Sequence, residues 1–110
     1  MVAGPYSSSA ADAETRVANL RAMNATALAV FEKGHIPVIG VNMVLPVIDC
    51  AGEDRFDELM TPISLTLADR CDAILRIGGP SVGADQEMER MRAAGKPVYA
   101  SLDDVPTLIE

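Results

Sequence analysis

Aromatic side chains are scarce in this 110-residue chain: two tyrosines, two phenylalanines and no tryptophan. Positive charge is scarce as well, 9 Lys and Arg against 16 Asp and Glu, for a net charge of −7. A nucleic-acid surface needs clustered basic residues and stacking rings, so no nucleic-acid partner is expected. A polybasic membrane patch is equally missing. Two cysteines, Cys50 and Cys71, with the single His35 do not make a zinc site, and their spacing fits no metal motif. Neither metal nor cofactor is expected. No signal peptide, lipidation motif or transmembrane run is visible, which leaves the cytoplasm as the default compartment and no membrane partner. A small anionic ligand stays open, because backbone amides bind anions locally whatever the overall charge.

What is present is apolar residues, 49% of the chain. At this length that supports one domain, residues 1–110, with a core that needs no metal or disulfide. The chain opens on a strand stub, Met1-Val2-Ala3, then Gly4-Pro5-Tyr6-Ser7-Ser8-Ser9, a loop with three hydroxyls. Strands usually run about 5–6 residues, so so short a stub implies either a start further upstream or a short strand compensated by self-association. A helix is expected from Asp12 to Lys33, buried along Val17, Leu20, Ala27, Leu28 and Phe31, with Gly34 as its stop. His35 reads as a turn residue. Ile36 to Asn42 is β-branched without alternation, as a strand buried on both faces would be.

An apolar loop, Met43 to Ile48, follows; such loops line a ligand mouth or a subunit contact. Glu53 to Met60 reads as a short helix, and Thr61-Pro62 restarts another as N-cap and first residue, running to Cys71. Asp72 to Ile77 is the third strand, Lys96 to Ala100 the fourth, and Val105 to Glu110 a closing helix. Strands alternating with helices give an α/β protein with a parallel sheet of about four strands. In order 2-1-3-4, ligands bind past the carboxyl ends of strands one and three. The Gly4–Ser9 loop and the Gly78–Glu87 segment both emerge there.

After the third strand, Gly78-Gly-Pro-Ser-Val-Gly83 opens a helix. Pro80 stands in place of the second glycine of a dinucleotide fingerprint, no Lys-Ser/Thr makes it a P-loop, and no acidic pair after strand one makes a receiver domain. The turn suits a phosphate or a sugar hydroxyl; it also serves as a plain strand-to-helix connection. On the helix, Ala84, Glu87, Met88 and Met91 share one face. Glu87 is the one charge on that apolar stripe, and burying it costs several kcal/mol unless a pocket opens beside it. The alternative is a carboxylate favoured by the helix dipole, worth about 0.3–1 kcal/mol.

Five segments, Ala3-Gly-Pro-Tyr-Ser7, Gly34-His-Ile-Pro-Val38, Cys71-Asp-Ala-Ile-Leu75, Pro80-Ser-Val-Gly-Ala-Asp-Gln-Glu87 and Gly95-Lys-Pro-Val98, occur in this order across the whole chain. Together they resemble the nucleoside 2-deoxyribosyltransferase superfamily, above all its short bacterial branch. The resemblance implies a flavodoxin-like three-layer αβα sandwich and enzymes that cut or exchange the N-glycosidic bond of nucleosides. It implies that Glu87 is the nucleophile and that Ser81 contacts a 5′-phosphate, with a small-molecule nucleoside or nucleotide as partner. Gly4, Pro5, Tyr6 and Ser7 would bind ligand from the first loop, Gly79 and Gly83 from the turn around Ser81. Asn42 and Met43 would close the mouth, and the chain would form a homodimer or higher homo-oligomer.

The sequence also departs from that pattern. The first-strand tyrosine of the resembled enzymes falls on Met1, and their catalytic aspartate falls near Ser64 with one gap. The contact that reaches in from a neighbour's C-terminal end has no clear counterpart here. A second function therefore stands beside the first: a nucleotide-binding module that has the pocket without the chemistry.

Overall fold

A computed structural model describes residues 1–7 and 12–108, and shows mixed α/β architecture around a small parallel sheet. The elements are β1 (Val2–Ala3), α1 (Ala13–Glu32), α2 (Gly40–Ala51), α3 (Phe56–Asp69), β2 (Ile74–Arg76), α4 (Val82–Ala93) and β3 (Val98–Tyr99). Single 3-10 turns, Glu53–Arg55 and Leu102–Asp104, precede α3 and follow β3. The three strands lie in the order β1-β2-β3, with Val2 opposite Leu75 and Ile74 opposite Val98.

The register divides the core. Val2 and Leu75 face α1, where they pack with Met23 and Val30; Ala3 and Ile74 face α4, where they meet Ala84 and Met91. Helices therefore cover both faces. The caps follow their residue types: Asp12 Oδ1 accepts from the Thr15 amide at 2.7 Å, and Ser81 Oγ accepts from the Ala84 amide at 3.1 Å. Gly34, just beyond α1, takes φ +99°, a left-handed angle that glycine adopts without a Cβ clash.

Several expected elements differ. The segment 36–42 is not a strand. Residues 36–39 run outside regular structure, joined to β1 by one backbone bond, Val2 N to Val38 O at 2.8 Å. Since Met1 O and Ala3 O bond β2, Val2 N points to the other edge of β1, which is where the second strand was expected. Gly40 then starts a helix, and Met43 to Ile48 is part of it, not a loop. Pro46 lies inside α2 and Pro62 inside α3, so the expected restart at Thr61 does not occur. A mid-helix proline costs about 3 kcal/mol; burial of Val44, Ile48 and Ala68 along these helices offsets it.

The buried face of α1 is also displaced. Met23 and Val30 are buried, with Leu20 and Ala27 partly so, whereas Val17, Leu28 and Phe31 are 65, 60 and 57% exposed. This helix is apolar on more than one side, and period alone does not choose the side. Among the described residues the tail is not helical after Val105. It is fastened by Lys33 Nζ, which donates to Leu102 O and Val105 O, both at 2.9 Å. His35 Nε2 sits 2.6 Å from Pro106 O, so the histidine is a structural tie.

Candidate functional site

α4 begins immediately after the β2 turn, so its first turn stands above the carboxyl end of the sheet. Glu87, its sixth residue, shares the buried face with Ala84 and Met91 and is only 9% exposed. Ser64, buried on α3, donates its hydroxyl to Glu87 Oε2 at 2.6 Å. Oε1 has no such partner, yet no buried side-chain polar atom is left unsatisfied among the described residues. Oε1 therefore opens on solvent in the cleft that Glu87 lines. Burial pushes the Glu87 carboxyl above its ordinary range; the Ser64 bond opposes this, as do, more weakly, the Met1 amino group and the Arg76 guanidinium.

That cleft has a volume of about 470 Å³, within the range of small-molecule sites. One wall is the start of α4, Ser81 to Ala84; the amides of Val82 and Gly83 have no helical acceptor there. The facing wall is α3, which offers Asp57, Thr61 and Ser64 at i, i+4 and i+7. At the rim the rings of Tyr6 and Phe56 lie nearly parallel, 11° apart with centroids 6.2 Å apart. Arg76 organises the β2–α4 turn from behind. Its guanidinium donates to Ile77 O at 2.6 Å, Gly79 O at 2.9 Å and Asp85 Oδ1 at 3.1 Å. These bonds hold the turn carbonyls on the Arg76 side. A second hollow, about 580 Å³, lies at the amino ends of the strands beside Met1, Ala73 and Pro97, away from the end where such sheets bind ligands.

Of the residues expected from sequence, Gly4, Tyr6, Ser7, Ser81, Gly83 and Glu87 all line the cleft. Pro5 and Gly79 do not: Pro5 packs behind, against Gly78, and Gly79 gives its carbonyl to Arg76. Asn42 and Met43 lie elsewhere too. Asn42 donates to Asn24 Oδ1 at 2.8 Å on the α1 side, and Met43 is exposed on α2, because the helix turns both away from the cleft. Ser8 and Ser9 lie outside the described residues. Asp57, Phe56, Thr61 and Gly40 were missed. Asp57 and Thr61 form one helical stripe with Ser64, with Phe56 beside it, but a helix broken at Thr61-Pro62 divides that stripe between two elements. Gly40 was hidden in what read as a strand.

The fold and cleft together define an α/β protein with a ligand-sized cleft and one buried carboxylate tethered through a single oxygen. Neither any protein-family model nor any curated protein matches the chain. Among the described residues no group of three or more His, Cys, Asp or Glu is placed to hold a metal. No described helix is long and apolar enough to cross a membrane.

Proposed function

We propose that this chain cleaves, or transfers between bases, the N-glycosidic bond of a nucleoside or nucleoside 5′-monophosphate, with Glu87 as nucleophile. The observation that carries this reading is the half-tethered carboxylate: Oε2 bonded to Ser64, Oε1 open on the cleft. Oε1 attacks the anomeric carbon and the C–N bond breaks. The base departs with the bonding pair and takes a proton from solvent. Water, or a second base, then displaces the carboxylate from the sugar and restores Glu87, the double displacement of retaining glycosidases. The base lies toward Tyr6 and Phe56, and a 5′-phosphate toward Ser81 and the free amides of Val82 and Gly83.

This reading takes residues 36–39, bonded to the outer edge of β1 without forming a regular strand, as occupying the place of the second strand in a flavodoxin-like, four-stranded three-layer sandwich of order 2-1-3-4. It takes the exposed Leu28, Phe31, Met43 and Val47 as surface for a homo-oligomer. Cys50 and Cys71 are unpaired, which suits a reducing compartment such as the cytoplasm. A binding-only module is favoured by one observation, Ser64, since a hydroxyl stands near the place, reached with one gap, where the resembled enzymes carry an aspartate. Release of free base from a panel of nucleosides and deoxynucleoside monophosphates separates the two. Turnover abolished by Glu87→Gln supports the enzyme; tight binding without release by the wild type supports the module; turnover that persists in Glu87→Gln removes the nucleophile.

A further inference from the structure

We propose that Ser64 is a positioning residue for Glu87: together with the amino end of α2 it fixes Oε2 and leaves Oε1, ionised, as the oxygen that faces the cleft. The inference rests on the reading of Glu87 as nucleophile, and adds which groups from other elements make that role workable. A serine in mid-helix commonly bonds back to the carbonyl one turn earlier. Ser64 instead donates across to α4, over 2.6 Å, from a buried position.

Gly40 shows that a third element joins the pair. A Cβ built on Gly40 falls 2.5 Å from Ser64 Oγ and 3.2 Å from Glu87 Oε2. The α2 backbone can approach the pair this closely only because residue 40 has no side chain. Gly40 is the first residue of a 12-residue helix whose first turn carries no acidic residue and whose N-cap makes no side-chain bond. The amino end of that helix therefore lies beside the carboxylate, where its partial positive charge favours the ionised form. The Ser64 hydroxyl and the close-packed start of α2 together hold Oε2 in place.

The remaining charges around Glu87 do not substitute for this hold. Arg76, from β2, is occupied by two carbonyls and Asp85, which shares α4 with Glu87. The Met1 amino group bonds Ala73 O at 2.7 Å. On α3 the acid lining the cleft is Asp57, seven residues from Ser64 and about 10 Å along the helix. β3, as Val98 and Tyr99, brings no Asp, Glu, Lys or Arg.

The test is a ¹³C NMR titration of the Glu87 carboxyl in the unliganded protein, assigned by difference with Glu87→Gln. Ser64→Ala is expected to raise the midpoint by about one to two pH units, the worth of a hydrogen bond to a charged group. Ser64→Thr, which keeps a hydroxyl, is expected to stay within about half of that shift. Gly40→Ala keeps the hydroxyl but displaces it, and is expected to raise the midpoint as well. If Ser64→Ala does not fold, Ser64→Cys, a weak donor of similar size, reads the same shift. With an active wild type, the acid limb of the rate profile moves with the midpoint. An unchanged midpoint in Ser64→Ala overturns the proposal whether or not the protein is an enzyme. A shifted midpoint in a protein that releases no base supports the positioning and removes the glycosidic reading instead.

Discussion

Replacing Glu87 by Gln should make the fold more stable at neutral pH, and the advantage should vanish in acid. The carboxyl is buried beside Ala84 and Met91, and burial raises its pKa above the ordinary value of 4.5. Between 4.5 and the raised folded value the native state binds more protons than the unfolded chain. Stability then falls as pH rises, by up to about 1.4 kcal/mol per pH unit within that window. Below the window Glu87 is protonated in both states and contributes no slope. Gln is neutral throughout, still accepts from Ser64, and turns its NH2 to the open cleft where Oε1 stood. Its cost is the charge-assisted part of the Ser64 bond, about 1 kcal/mol. A capping role predicts the opposite sign, a loss of about 0.3–1 kcal/mol. In the structure, however, Ser81 and Asp85 hold the cap and the first turn, and Glu87 lies beyond them. Urea unfolding of both proteins, followed by far-UV circular dichroism from pH 4.5 to 8, measures the difference. A pH-independent difference, or a wild type that gains on the variant as pH rises, would refute the reasoning.

Other expectations follow from neighbouring contacts. Ser81→Ala removes the cap to the Ala84 amide. It should cost about 0.5–2 kcal/mol in denaturant unfolding and, if a phosphate docks there, abolish any preference for a monophosphate over its nucleoside in calorimetry. Phe56→Ala removes the partner of the Tyr6 ring and should weaken nucleoside binding while leaving phosphate affinity unchanged. With an active enzyme, turnover should rise with pH through the raised Glu87 value, since only the ionised carboxylate attacks; a rate that falls over that range would exclude this nucleophile. Leu28→Glu combined with Val47→Glu, both on exposed helix surface, should shift the mass in light scattering toward monomer if those faces hold an oligomer together.

The cleft was more legible in the sequence than the scaffold around it, for physical reasons that differ from one element to the next. Glu87 stood out because a charge at the i+3 position of an apolar stripe conflicts with simple burial, and the conflict itself points to a cleft. Ser81 and Gly83 were legible because a cap and a turn have short-range chemistry, written in adjacent residues. The segment 36–48 was not. Its β-branched residues suit an extended chain locally, but the apolar run after Gly40 finds its burial through Val44 and Ile48 in a helix. Pro62 misled in the same way, since a local penalty of a few kcal/mol loses to packing along a whole helix. Ser64 was legible only as lying near the place, reached with one gap, where the resembled enzymes carry an aspartate. Its bond to Glu87 joins residues 23 apart in sequence, and no local pattern announces such a contact. Gly40 is the same case in sharper form. A glycine between β-branched neighbours is unremarkable until the atoms that a Cβ would strike are known, and those atoms are the hydroxyl and the carboxylate of the candidate site.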